Sequence, residues 1–103
     1  MERVVTIERI TESGMITLAL NGKLTAATAE RLNAAIITAI GEADNLTLDF
    51  KRLEYVASAG LRVLLITRKA LSAKGGKFII RNVSEDVMNT LKITGMDSIL
   101  DIE

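Results

Sequence analysis

LTLDFKRLEYVASAGLRVLLITRKALSAKGGKFII, residues 46–80, changes hydrophobic period twice, and those changes decide the fold class. Leu46, Leu48 and Phe50 alternate with Thr47 and Asp49, the period of two that a short strand requires. Lys51 to Val56 are expected to form a connection. From Ser58 the apolar positions take helical spacing: Leu61, Leu64, Leu65 and Leu71 share a face, Ser58 is placed to cap the start, and Gly75-Gly76 ends the helix. Phe78-Ile79-Ile80 follows as a strand. The unit is βαβ, and a right-handed crossover makes its two strands parallel.

Upstream, Val5 and Ile7, then Ile16, Leu18 and Leu20, alternate with polar residues around the turn residues Thr11-Glu12-Ser13-Gly14, which predicts a β-hairpin. After Asn21-Gly22 the spacing of Ala29, Leu32, Ile36 and Ile40 predicts an amphipathic helix, capped by Thr25 and closed at Gly41. Downstream, Ser84 with Glu85 and Asp86 suits the first turn of a third helix, whose Val87, Met88 and Leu91 face inward. Lys92 suits its last turn and Gly95 its stop. Met96 to Ile102 fits a helical turn or an edge strand equally well. These elements predict an α/β fold: a mixed sheet that opens with an N-terminal hairpin and continues in βα units. The alternation in most strands places the helices mainly on one face.

A length of 103 residues suits one domain, residues 1–103, and the 49% hydrophobic content supplies a core. Thirteen basic residues balance 13 acidic ones and aromatics make up only 3%, so no long-range field attracts a polyanion, few stacking platforms are left, and nucleic acid is not an expected partner. Met1-Glu2-Arg3 leads into alternation rather than an apolar signal core, and no apolar run approaches the roughly 20 residues of a membrane helix. The expectation is a cytoplasmic protein without membrane insertion.

The chain has neither His nor Cys, which closes the usual triads, thiolate chemistry and zinc sites. Gly75-Gly76-Lys77 is not a phosphate loop, because Phe78 follows the lysine and Leu71 stands where the first glycine belongs. Asp44, Asp49 and Glu54 read as solvated or turn carboxylates, and Met88 and Met96 as core. No catalytic residue, metal ligand or cofactor is expected, and the protein reads as something other than an enzyme. What remains is Leu53 to Arg62, where small residues surround the Ser58 hydroxyl at a helix start. Spacing alone makes Ser58 a cap worth typically about 1 kcal/mol. Phosphate there would add roughly −1.5 to −2 charges beside a positive helix terminus, and would alter a docking surface without unfolding it.

Gly22-Lys23-Leu24-Thr25-Ala26-Ala27-Thr28-Ala29 resembles the Gly-x-Leu-Asp-x-x-Thr-Ala segment of STAS domains. Val56-Ala57-Ser58-Ala59-Gly60-Leu61 resembles their Ile-Asp-Ser-Ser-Gly-Leu segment, and Leu91 to Met96 their Leu-x-x-x-Gly-Leu ending. Thr25 and Ala57 stand where the family often has Asp. The resemblance is to the anti-sigma factor antagonist type. It implies a partner that is both anti-sigma factor and serine kinase, phosphorylation of Ser58 that switches binding off, and a PP2C-type phosphatase that restores it. It further implies a docking face from Gly22, Lys23, Leu24, Thr25, Ala26, Ala57, Ala59, Gly60 and Arg62. Two alternatives remain: an unphosphorylated STAS subunit of a lipid-transport ABC complex, and a module that binds a small anionic ligand at helix N-termini.

Overall fold

A computed structural model describes residues 5–103 of the chain. The opening Met1-Glu2-Arg3, read above as free of a signal core, lies outside the described residues.

The hairpin forms from β1 (Thr6–Glu12) and β2 (Met15–Leu24), antiparallel and joined by Ser13-Gly14 alone. Both turn residues have positive φ, 45° and 78°, the twist that matches a two-residue turn to its strands. Thr11 and Glu12, expected in the turn, therefore belong to the strand. Three crossovers follow: α1 (Ala26–Glu42) to β3 (Asn45–Val56), α2 (Ser58–Ala73) to β4 (Phe78–Arg81), and α3 (Glu85–Ile93) with a 3₁₀ turn (Met96–Ser98) to β5 (Asp101–Ile102). The ambiguous tail is thus both a helical turn and an edge strand.

The sheet order is β1-β2-β3-β4-β5, parallel from β2 onward. Crossovers of one hand that all advance in one direction put every helix on the same face, as the alternation predicted. The core lies there: Ile16, Leu18, Leu20 and Leu24 of β2 and Leu46, Leu48 and Phe50 of β3 meet Leu32 and Ile36 of α1 and Leu64 and Leu71 of α2.

Three local expectations are corrected. The α1 helix passes Gly41 and ends at Glu42, because Lys74 at the end of α2 donates from Nζ to the carbonyl of Ile40 and pairs with Asp44, serving α1 as a cap from outside. The strand β2 does not break at Asn21-Gly22 but runs to Leu24. Residues 51–56 are not a connection but the second half of β3, paired with Asn21 to Leu24.

That second half is bulged. The offset between β2 and β3 is 30 at Ile16↔Leu46, 31 at Asn21↔Arg52 and 32 at Lys23↔Tyr55, so β3 carries one extra residue at each of two places. Bulges bend and twist a strand, and β3 accordingly leaves β4 after Asp49↔Arg81. The Asp49 carboxylate fixes the first bulge by accepting from the Lys51 N–H at 2.9 Å and from Asn82 Nδ2 at 3.0 Å.

Candidate functional site

Because β2, β3 and β4 are parallel, α1, α2 and α3 all begin at the same edge of the sheet. A helix start leaves N–H groups without intrahelical partners, and the three helices deal with this differently. Thr25 caps α1 in a reciprocal box: its hydroxyl accepts from Thr28 N–H while Thr28 Oγ1 accepts from Thr25 N–H at 2.8 Å. Thr28 Oγ1 also donates to the Lys23 carbonyl at 2.9 Å and so fixes the β2–α1 corner. Ser84 caps α3 by accepting from Val87 N–H at 3.2 Å, with Glu85 and Asp86 in the first turn.

The helix α2 has no such device. Its N-cap is Ala57, no side chain bonds to its first turn, and that turn holds no carboxylate. Ser58, expected to be the cap, is instead the first helical residue, with an exposed side chain that makes no hydrogen bond among the described residues. The physical reason is position: a capping oxygen must sit on the non-helical residue before the first turn, and here that residue is an alanine. The N–H of Ala57 donates to the Leu24 carbonyl at 2.8 Å, and its carbonyl accepts from Gly60 and Leu61. This backbone bond brings the two sequence motifs together, Gly22 to Ala26 from one side and Ala57 to Arg62 from the other.

Among the residues assigned to the docking face, Lys23, Ala26 and Arg62 are exposed, and Thr25, Ala57 and Ala59 are half-buried. Gly22, Leu24 and Gly60 are buried. Leu24 is a core side chain and presents nothing to a partner; its role is to define the corner. Gly60 is small because a Cβ there would fall 2.6 Å from Leu24 Cδ2 and 2.9 Å from Val56 Cγ2, so glycine lets α2 start directly above β2 and β3. Gly22, at φ 116°, occupies a backbone region that side chains disfavour.

Sequence reasoning missed Tyr55, the single tyrosine of the chain, which the bulged half of β3 holds 49% exposed beside Lys23 on β2. It helps line an open groove with Lys23, Thr25, Lys51, Arg52, Ser84 and Asp86, between the starts of α1 and α3. The missed signal lay in the buried positions 46, 48, 50, 53 and 56: steps of two become steps of three where each bulge adds a residue. The other carboxylates considered are engaged structurally: Asp44 pairs with Lys74 at 3.4 Å, and Asp49 fixes the bulge. Among the described residues no group of three or more His, Cys, Asp or Glu could hold a metal, and no helix is long and apolar enough to cross a membrane.

Compared with known proteins, residues 5–103 match the STAS domain family. The chain is 31% identical over 99 residues to BtrV of Bordetella bronchiseptica, assigned as an anti-sigma factor antagonist, covering 95% of this chain and 84% of that one. It is 28% identical to an anti-sigma F factor antagonist of Paenibacillus polymyxa, over 93% of this chain and 84% of that one. Its fold matches that of the Bacillus cell-fate determinant SpoIIAA in the phosphorylated form, with TM-score 0.75, 23% identity and coverage of 95% and 91%.

Proposed function

The chain belongs to the STAS domain family, among the anti-sigma factor antagonists, and on that premise we propose that it binds an anti-sigma factor with serine-kinase activity and is released when that kinase phosphorylates Ser58. Anti-sigma factor antagonists are non-enzymatic regulators, so ATP and metal belong to the partner. A PP2C-type phosphatase returns the protein to its binding form. The working unit is a single domain of residues 1–103, acting in the cytoplasm.

One observation carries the reading: Ser58 is exposed at the start of α2 with its hydroxyl uncommitted, since among the described residues it neither caps the helix nor bonds elsewhere. A kinase can reach such a group without disrupting the helix. A solved neighbour is recorded in a phosphorylated form with this same fold, which supports the compatibility of the fold with phosphate. The Thr25 departure preserves local structure, because Thr and Asp are both good cap residues. The docking face comprises Lys23, Thr25, Ala26, Ala57, Ala59 and Arg62, shaped from beneath by Gly22, Leu24 and Gly60. Phosphate would put a doubly charged group in the middle of this small-residue surface and expel a partner by desolvation and repulsion.

The test is intact-mass and tandem mass spectrometry of the protein from its native cells, paired with co-purification of wild type, Ser58→Ala and Ser58→Asp. The expected result is phosphate on Ser58, an anti-sigma kinase retained by Ser58→Ala and the same kinase lost by Ser58→Asp. Equal retention by both variants, without phosphate under any growth condition, would replace this reading with that of a constitutive STAS subunit.

A further inference from the structure

In the α2 sequence, SAGLRVLLITRKALSA, there is no Asp or Glu, and three of its 16 residues are cations: Arg62, Arg68 and Lys69. Its first turn is the one helix start at this edge with neither a capping side chain nor a carboxylate: α1 lacks a carboxylate but is capped by Thr25, and α3 has both. Arg62 stands four residues after Ser58. Residues at that spacing are neighbours on a helix surface, and the Cα–Cβ bond of each tilts toward the N-terminus, so the Arg62 side chain leans back over the turn that carries Ser58. Arg62 is exposed and makes no ion pair or side-chain hydrogen bond among the described residues.

We infer that Arg62 is a positioning residue for phosphate on Ser58, its guanidinium turning back one helical turn to hold the phosphate oxygens. The inference rests on the phospho-switch reading above and names how that switch operates in this chain. An anion N-terminal to a cation at this spacing is the favourable order, and guanidinium matches phosphate with two parallel N–H···O bonds where lysine offers a point charge. The switch then changes two features of the docking face at once. Unmodified, the face displays a free cation; phosphorylated, it gains an anion and withdraws the cation. A partner that places a carboxylate against Arg62 loses its counter-charge and meets repulsion in one event.

The experiment installs phosphoserine at position 58 of the full chain by codon reassignment, so that no kinase is required, and follows the phosphate by ³¹P NMR across pH. Wild type should show a second phosphate ionisation lower than that of Arg62→Gln by roughly a third of a unit, with Arg62→Lys between them. Lys23→Gln, which removes the other cation of the docking face, should leave the wild-type value unchanged. Identical titrations for wild type and Arg62→Gln would overturn the inference, as would a shift carried by Lys23 instead, and in either case the phospho-switch would stand. If native Ser58 never carries phosphate, the switch fails while the titration still reads the Arg62 contact.

Discussion

A Cβ on Gly76 would lie 1.8 Å from the carbonyl oxygen of Asp44. The turn after α2 is pressed against the turn before β3, and the contact is backbone on backbone, so neither side has a rotamer with which to yield. Gly76→Ala is expected to cost about 2–4 kcal/mol, read as a lowered urea midpoint. Gly41→Ala is the control, since its Cβ would meet open space inside α1. Ser58 behaves oppositely. Because the hydroxyl does not cap α2, Ser58→Ala should change stability by less than about 0.5 kcal/mol; a loss near 1 kcal/mol would show that it caps in solution after all. That separation of roles suits a switch residue, since it leaves the unmodified fold indifferent to the group being modified.

At the scale of elements, the three helix starts differ in what holds them. Removing the reciprocal box with Thr25→Ala should destabilise by about 1 kcal/mol, while Thr25→Asp should keep most of that; thermal unfolding of the two variants side by side decides it. The helices, the hairpin and their order were legible in the sequence because Leu32 and Ile36, or Leu64 and Leu71, mark a face by spacing alone, and Ser13-Gly14 and Gly75-Gly76 punctuate clearly. The second half of β3 was not, since two bulges shift Leu53 and Val56 out of the period of two and make them read as irregular. Ser58 was found as a candidate, but its relation to the helix was misplaced by one residue. Whether a serine is cap or first helical residue depends on its own backbone angles, which composition does not specify.

Across the whole molecule, Arg9 on the edge strand β1 reaches the end of α1, donating from Nη1 and Nη2 to the two oxygens of Glu42, both at 2.9 Å. This bidentate bond, and secondarily the positive charge itself, holds the Glu42 carboxyl below its ordinary value of 4.5 and pushes the Arg9 guanidinium up. A carboxylate whose ionisation is easier in the folded state adds stability above its ordinary value and loses it as pH falls through the lower folded one. The thermal midpoint of Arg9→Gln should therefore lie below that of wild type at neutral pH, and the gap should close in acid. Both groups are exposed, so the gap is small and should shrink with salt. The strictly consecutive strand order has a consequence during synthesis on the ribosome. Each strand that emerges finds its neighbour already outside the exit tunnel, so the sheet can lengthen from β1 in the direction of translation. Gly22 to Arg62, which bring Ser58 and its surface together, leave the exit tunnel before β4, α3 and β5 follow.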